Sequence, residues 1–418
     1  MKISHLSSDA FGGAARAAFR LHQALGDDTK IESRMIVRIK PNDDWRINIP
    51  NESRLAKATA FLRPTIDNLP TRFQRSSRAV PRSVSWLSTL SASQLNRSDA
   101  DLVNLHWICS GFLSIEEIGK ITKPVVWTLH DMWPFCGAEH LADDDEHARW
   151  RIGYTNENRN PMDRWLDIDR WVWRRKQQAW QRPIHIVTPS KWLSDCARSS
   201  PLMKNWDVTV IPNTLDINRF KPIPKVLARE ILNLPSEAKL ILFGAVRGTR
   251  LSYKGWDLLQ PALAKLAERL PHAQAVIFGE GQPQDPPYLG MPLKWMGHLH
   301  DDATLALLYS AADVMVVPSR MESFCQTGSE AHACGCPVVA FNATGLRDVV
   351  EHGKTGFLAE PYSSEDLAKG IEWVLADDDR HAHLSTNARE RAVRLWSHGA
   401  VVPKYLEVYR NAISISQS

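Results

Sequence analysis

The stretch LILFGA, residues 240–245, runs into VRGTRLSYKGWDLL, residues 246–259. An apolar run, then a polar turn, then a segment of helical period is the pattern of a parallel strand feeding a crossover helix. Runs of this kind, rich in valine and isoleucine, recur along the whole chain. In the first half the expected strands are 2–6, 35–37, 102–105, 125–129, 184–187 and 208–211. In the second half they are 240–245, 275–278, 293–296, 314–317 and 337–341. The fold class is therefore α/β, with a doubly wound sheet in each half.

At 418 residues the chain suits two domains of roughly 200 residues each. The segment IPNTLDINRFKPIP, residues 211–224, combines three prolines with turn formers near mid-chain and reads as the linker, placing the boundary near residue 220. Hydrophobic residues make up 44% and charged residues 23%, which excludes disordered and fibrous architectures. A net charge of +4 gives no reason to expect nucleic acid as a partner. The longest apolar runs fall far short of the ~20 residues that cross a bilayer. MKISHLSSDAFGG at the N-terminus lacks the apolar core and cleavage site of a secretory signal, so a cytoplasmic location is expected. The six cysteines are scattered and read as reduced thiols rather than a disulfide framework.

Sheets of this class bind ligands beyond the carboxyl ends of their strands, and two such sheets facing each other would trap a ligand in a cleft. The candidates are the residues at those ends. HDMWPFCG, residues 130–137, follows the strand VVWTL, so His130 stands either at a ligand or in a hydrogen bond within its own loop. After the first strand, Gly12 and Gly13 precede an alanine-rich helix and either approach an anion or form a tight turn. Arg247, Arg250 and Lys254 lie just beyond the strand 240–245, where cations would neutralise a diphosphate or form a solvated basic loop. Gly279 and Gly281 in FGEG would let a planar base approach the backbone.

Two patterns are set aside. GKT at residues 353–355 lacks the glycine that a phosphate-binding loop needs at position 348, which is Asp348. Asp143 and Asp145 in EHLADDDEH suggest a divalent-metal site, but the run does not follow directly from a strand and reads as a solvated acidic loop. No metal ligands are assigned. Residues 52–97 hold eight Lys or Arg against two acids around Phe61, Leu62, Phe73 and Trp86, a surface that either rests on anionic lipid or is a solvated helical face.

ESFCQTGSE, residues 322–330, places Glu322 and Glu330 eight positions apart. Near the start of a helix their α-carbons would be about 12 Å apart, beyond the ~5–9.5 Å of carboxyl pairs that cleave glycosidic bonds. That distance suits a long ligand with a diol at each end, because each carboxylate accepts two hydroxyl hydrogen bonds. Helix N-terminal amides between them would face the anion joining the ends. Diol, diphosphate, diol is the layout of a nucleotide sugar. The bland alternative is that Glu322 caps the helix and Glu330 is exposed.

PSRMESFCQTGSEAHACGCPVVAFNATGLRDVVEHGKTGFL, residues 318–358, resembles the Glu-x7-Glu region and following glycine-rich loop of the retaining glycosyltransferases of family 4. TLHDMWPFCG, PSKWL and IPNTLD resemble the subgroup that builds bacterial exopolysaccharides, including colanic-acid-type enzymes. The likeness covers roughly residues 1–25 and 100–410. It implies the GT-B fold, two Rossmann-like domains facing across a cleft. Residues 1–219 would be the acceptor side and 220–394 the nucleotide-sugar side, with a last helix, about 395–418, packing back onto the first domain. It further implies that Glu322 contacts hydroxyls of the transferred sugar and that Glu330 binds the ribose. Amides of Phe324, Cys325 and Gln326 would reach the sugar or diphosphate. Lys254, with Arg247 or Arg250, would stabilise the departing diphosphate, and His130 would sit beside the anomeric carbon. No cofactor or metal is implied. The acceptor would be a glycan, lipid-linked, with a peripheral contact at the inner face of the membrane. Cys325 stands where the family commonly has glycine, which matters if that position takes positive φ. A nucleotide-sugar-binding protein without transferase activity, and a GT-B epimerase or phosphorylase, are the alternatives.

Overall fold

The computed structural model describes residues 1–8, 12–26, 30–40, 47–50, 53–76, 80–244, 246–299 and 301–417, with backbone only for 54–58 and 417. It divides into two compact units, Met1–Ile211 with Val402–Ser418, and Pro212–Val401. The division falls at 211/212 rather than near 220. The reason is packing, since Leu215 and Phe220 are fully buried in the core of the second unit.

The first unit carries a seven-stranded parallel sheet of β1 (Lys2–Ser7), β2 (Glu32–Val37), β3 (Ile47–Asn48), β5 (Leu102–Leu105), β6 (Val125–Thr128), β8 (His185–Thr188) and β9 (Val208–Val210). A separate antiparallel pair joins β4 (Gln74–Arg75) to β7 (Arg164–Trp165). The sheet order is β3-β2-β1-β5-β6-β8-β9. The chain winds outward from β1 to β3, then returns to β5 on the other side of β1. The register Ile3↔Leu102 to Leu6↔Leu105 fixes this central pair, and every residue of β5 is buried.

The second unit repeats the plan with β10 (Lys239–Gly244), β11 (Ala273–Phe278), β12 (Leu293–Trp295), β13 (Val314–Val317), β14 (Val338–Phe341) and β15 (Gly356–Ala359), in the order β12-β11-β10-β13-β14-β15. All of its pairings are parallel. β13 and β14 are buried along their length, as expected of strands covered by helices on both faces. All eleven expected strands are present. Ala245, at the end of one of them, lies outside the described residues, as do residues 9–11 before Gly12.

Where the winding direction reverses, the loops at the carboxyl ends of the two flanking strands splay apart and leave room for a ligand. Those points are β1/β5 in the first sheet and β10/β13 in the second. The helices that matter below are α1 (Gly13–Gly26), α2 (Arg54–Asp67), α3 (Trp256–Arg269), α4 (Gln326–Ala333) and α5 (His398–Gln417). α5 is anchored on the first sheet: Tyr409 donates its hydroxyl hydrogen to Asn104 at 2.6 Å and Tyr405 lies 3.4 Å from the Thr128 hydroxyl. No described helix is long and apolar enough to cross a membrane.

Candidate functional site

In the second unit the loop after β10 ends in a short 3-10 turn, Ser252–Lys254, and Gly255 joins it to α3. Gly255 has φ 73°, and a Cβ there would lie 1.8 Å from the carbonyl oxygen of Pro318, just beyond β13. Glycine therefore lets this turn press against the end of β13. The result is a short ion pair: the Lys254 Nζ donates to Glu322 Oε1 at 2.6 Å, and the Ser319 hydroxyl donates to the same oxygen at 2.9 Å. The Glu322 amide donates to Thr344 Oγ1 at 3.2 Å, and its carbonyl accepts from the Gly345 amide at 2.9 Å. A Cβ on Gly345 would lie 2.4 Å from the Ser323 carbonyl, so this brace also requires glycine. Burial works against the Lys254 ammonium, but the charge and hydrogen bond of Glu322 outweigh it and raise the lysine's pKa. Lys254 is a fixed cation.

α4 begins at Gln326, so Glu322 lies in the preceding loop. Cys325 takes φ 80°, ψ 82°, a left-handed conformation that no helical residue adopts. The ~12 Å helical spacing expected between Glu322 and Glu330 therefore does not apply. Glu322 does not cap α4 either: the Cys325 thiol does, accepting from the Gly328 amide at 3.4 Å. That thiol is buried and is pushed up to about 12 by burial, with the Glu322 charge adding to it. Phe324 is buried edge-on to Trp396, 5.8 Å between ring centres. Glu330 is 1% exposed, which rules out a merely solvated residue, and its Oε2 accepts from the Tyr309 hydroxyl at 2.8 Å.

The arginines are placed differently. Arg247 is exposed, and its amide donates to the Gly279 carbonyl at 3.4 Å. The Nε of Arg250 donates to Glu280 at 2.6 Å, and Thr249 donates to the other oxygen of that carboxylate, also at 2.6 Å. Among the described residues neither arginine hydrogen-bonds Glu322. Gly279 has φ 88° and donates to the Gly297 carbonyl at 2.8 Å. The structure thus gathers Lys254 with Glu322 and the start of α4, and pairs Arg250 with Glu280 instead.

In the first unit, His130 follows β6 by two residues and its Nε2 lies 3.0 Å from His106 Nδ1. Burial lowers its pKa to about 4, with Asp131 acting in the opposite sense, so the ring is neutral near pH 7. Asp131 is held by His140 Nδ1 at 2.6 Å, Trp107 Nε1 at 2.9 Å and the Trp133 amide at 3.0 Å. Burial alone would raise Asp131, but the charge and hydrogen bonds of its partners together keep it low. The loop is clamped from below by Lys176, which is fully buried with its ammonium 3.7 Å above the Trp133 ring. It donates to the carbonyls of Trp133, Cys136 and Gly137. Met132, Trp133 and Phe135 are buried. Gly12 has φ 90° with nothing among the described residues within 4 Å of a built Cβ, and α1 starts at Gly13.

Sequence reasoning did not single out His106, Asp131, Lys176, Ser319, Thr344 or Tyr309. His106 and Ser319 stand just beyond β5 and β13, the positional signal that identified His130. Lys176 and Tyr309 carry no such signal, because they lie inside helices and act through burial. Asp143 and Asp145 are exposed, and no group of three or more His, Cys, Asp or Glu suited to a metal occurs among the described residues.

Two family models match the chain. "Glycosyltransferase Family 4" covers residues 11–219 and "Glycosyl transferases group 1" covers residues 227–391. The chain is 34% identical over 222 residues to a D-inositol 3-phosphate glycosyltransferase of Thermobispora bispora, a match spanning 49% of this chain and 51% of that protein. It thus spans about half the length of that relative. With the D-inositol 3-phosphate glycosyltransferase of Nocardiopsis dassonvillei it shares 30% identity over 329 residues, 74% of this chain and 70% of the other. Among solved structures, Anabaena HepE in complex with UDP-glucose superposes with a TM-score of 0.63 at 19% identity, covering 98% of this chain and 100% of that one. That likeness, with the two doubly wound sheets, establishes the GT-B fold. The chain belongs to the group 1, family 4 glycosyltransferases.

Proposed function

We propose that this transferase moves a sugar from a nucleoside diphosphate sugar to a lipid-linked glycan acceptor with retention of anomeric configuration, as in bacterial exopolysaccharide assembly. The observation that carries the reading is the Lys254–Glu322 pair at the β10/β13 switch point, next to the start of α4. A departing diphosphate develops negative charge. A fixed ammonium and the N-terminal amides of a helix stabilise that charge without reorganising, so the chemical step needs no metal. Glu322 accepts from hydroxyls of the transferred sugar, giving up part of its bond to Lys254 as the diphosphate takes its place. Glu330, oriented by Tyr309, is assigned to the ribose. Amides of Phe324, Cys325 and Gln326 are assigned to the sugar and diphosphate, Gly279 to the base, and Gly12 and Gly13 to the acceptor side. Arg247 is the second cation, with Arg250 already engaged by Glu280. His130, neutral near pH 7, contacts the sugar near its anomeric carbon and does not act as a general acid. The acceptor proton then passes to a departing phosphate oxygen on the same face, consistent with retention. The UDP-glucose complex of HepE supports a nucleoside diphosphate sugar as donor.

A lipid-borne acceptor is supported by the first unit's surface. Phe61, Leu62, Phe73, Met162, Trp165 and Leu166 are each more than half exposed. The β4–β7 pair brings Phe73 to Leu166, whose amide donates to the Phe73 carbonyl at 2.9 Å. Arg72, Arg75 and Arg164 are exposed on the same segments. Exposed aromatics set among arginines suit a peripheral contact with anionic lipid. A second reading, transfer to an inositol phosphate, is favoured by the names of the two relatives.

The test combines donor and acceptor screens. Stability is measured with UDP, GDP, ADP and their sugars, where a ligand at 100 times its Kd adds about 2.7 kcal/mol. Transfer is then assayed to lipid-linked oligosaccharide and to inositol phosphate. Glu322→Ala and Lys254→Ala are expected to abolish transfer, and Glu330→Ala mainly to weaken donor binding. Full transfer by Glu322→Ala would sink the assignment.

A further inference from the structure

Behind His130 stands a row of imidazoles. β1, β5 and β6 are neighbours in the first sheet, and His5 stands in the second half of β1, His106 just beyond β5 and His130 two residues beyond β6. His5 Nδ1 is 3.0 Å from His106 Nε2, and His106 Nδ1 is 3.0 Å from His130 Nε2. In both pairs the rings are nearly parallel, at interplanar angles of 28° and 20°, with centroids 5.3 Å apart, the separation of rings joined end to end through their nitrogens. His5 and His106 are buried. His22 of α1 packs edge-on against His5 and is itself bound to Ser33 at 2.7 Å.

Each N···N contact holds one hydrogen, and a neutral imidazole has one to give. Three neutral rings in a row therefore have two arrangements. In one, His5 donates through Nδ1 to His106, His106 donates through Nδ1 to His130, and the His130 hydrogen sits on Nδ1. In the other every hydrogen points the opposite way. His130 then donates through Nε2, its Nδ1 is a bare basic nitrogen, and His5 carries its hydrogen on Nε2. The far end of the row decides between them. His5 Nε2 is buried and has no hydrogen-bond partner among the described residues. The second arrangement would strand an N–H donor there, whereas the first leaves a bare nitrogen; buried donors without an acceptor are the rarer case in folded proteins.

We infer that His5 and His106 are positioning residues that lock His130 as a neutral imidazole with its hydrogen on Nδ1, a donor to substrate with no free basic nitrogen. This rests on the assignment of His130 to the substrate given above, and it deepens it: the ring hydrogen-bonds an oxygen of the sugar and takes no proton from the acceptor. Burial lowers the pKa values of His5 and His106 well below the usual histidine range, with like charge from the neighbouring rings adding to it, which keeps the row uncharged. Among the described residues the titratable groups that act on His130 are His106 and Asp131, and Asp131 is bound by His140, Trp107 and the Trp133 amide.

The direct test is nitrogen-15 spectroscopy of the histidine rings in the ligand-free, full-length protein, which reads tautomers without substrate. The expected spectrum shows His130 with a protonated Nδ1 and a bare Nε2, unchanged from pH 8 to 5.5. A protonated Nε2 on His130, or titration near the ordinary 6.5, overturns the inference. His5→Phe removes the donor at the head of the row and is expected to release His130 into the other tautomer. Transfer should fall by about tenfold or more, the scale on which partners fixing an imidazole tautomer act. His5→Asn, whose amide donates from the position of Nδ1, is expected to restore both. An unchanged His130 tautomer in His5→Phe overturns the inference; should that variant not fold, the wild-type spectrum alone decides. Because the spectrum needs no substrate, an inactive protein with the expected tautomers counts against the transferase reading and not against the row.

Discussion

Replacing Gly255 with alanine is expected to damage the proposed donor site through geometry alone. The added Cβ would lie 1.8 Å from the Pro318 carbonyl oxygen, where real contacts are no closer than 3.0 Å. That carbonyl follows β13, which is hydrogen-bonded between β10 and β14 in the middle of its sheet, so it does not yield. The turn carrying Lys254 must give way instead, by more than an ångström. The Lys254–Glu322 distance of 2.6 Å then stretches past hydrogen-bonding range. Alanine at φ 73° adds about 1–2 kcal/mol of left-handed strain. Losing a charge-assisted hydrogen bond costs roughly another 1.5–3 kcal/mol. The sum, on the order of 3–5 kcal/mol, is measurable by denaturant unfolding, with donor binding measured in parallel. Gly399→Ala is the opposite control: it lies in the first turn of α5 with no described atom within 4 Å of a built Cβ, and should be neutral or stabilising by up to about 0.5 kcal/mol. A Gly255→Ala protein within about 1 kcal/mol of wild type, with unchanged donor affinity, would refute this account of how Lys254 is held.

Cys325→Gly removes left-handed strain but also a buried thiol and its cap to Gly328, so its stability should stay within about 1 kcal/mol of wild type. Cys325→Val places a β-branched side chain at φ 80° and should cost about 1–3 kcal/mol; equal melting temperatures for the two variants would contradict that. Buried His5, His106 and His332 and half-buried His130 all have depressed pKa values, the last two at about 3 and about 4 respectively. A depressed histidine binds its proton more readily unfolded, so each contributes stability that is complete above 6.5 and is lost as pH falls toward the folded value, at about 1.4 kcal/mol per pH unit per proton. Glu139 acts in the opposite sense, raised to about 8 by burial and by the Asp169 charge, and favours the folded state as pH falls from 8 to 4.5. Lys176, lowered to about 7 by burial, adds stability as pH rises above 7 and offsets the loss from Glu139. Stability should therefore drop steeply below pH 6.5, with net proton uptake on unfolding near pH 5.5; a flat profile between pH 6.5 and 5 would contradict these assignments.

The strand pattern was legible because central parallel strands are buried on both faces and read as unbroken apolar runs, β10 and β13 most clearly. The places of Lys254, Glu322 and His130 were legible because each lies in a loop that follows a strand end. Three things were not. The fate of Arg250 depended on Glu280, thirty residues away in sequence, meeting it across the loops. The boundary at 211/212 depended on which core Leu215 and Phe220 joined, and the proline cluster carried no information about that. The helix start at Gln326 depended on Cys325 adopting a conformation usually left to glycine, against its own preference.

The central claim is that the Lys254 ammonium meets the diphosphate of a nucleotide sugar in the second unit. Calorimetric titration of wild type and Lys254→Met with a nucleoside diphosphate and the matching monophosphate tests it most directly. Loss of one charge-assisted contact worth about 1.5–3 kcal/mol predicts a fall in diphosphate affinity of roughly 10- to 150-fold in the variant, with a much smaller change for the monophosphate. Equal diphosphate affinity in the two proteins would contradict the claim.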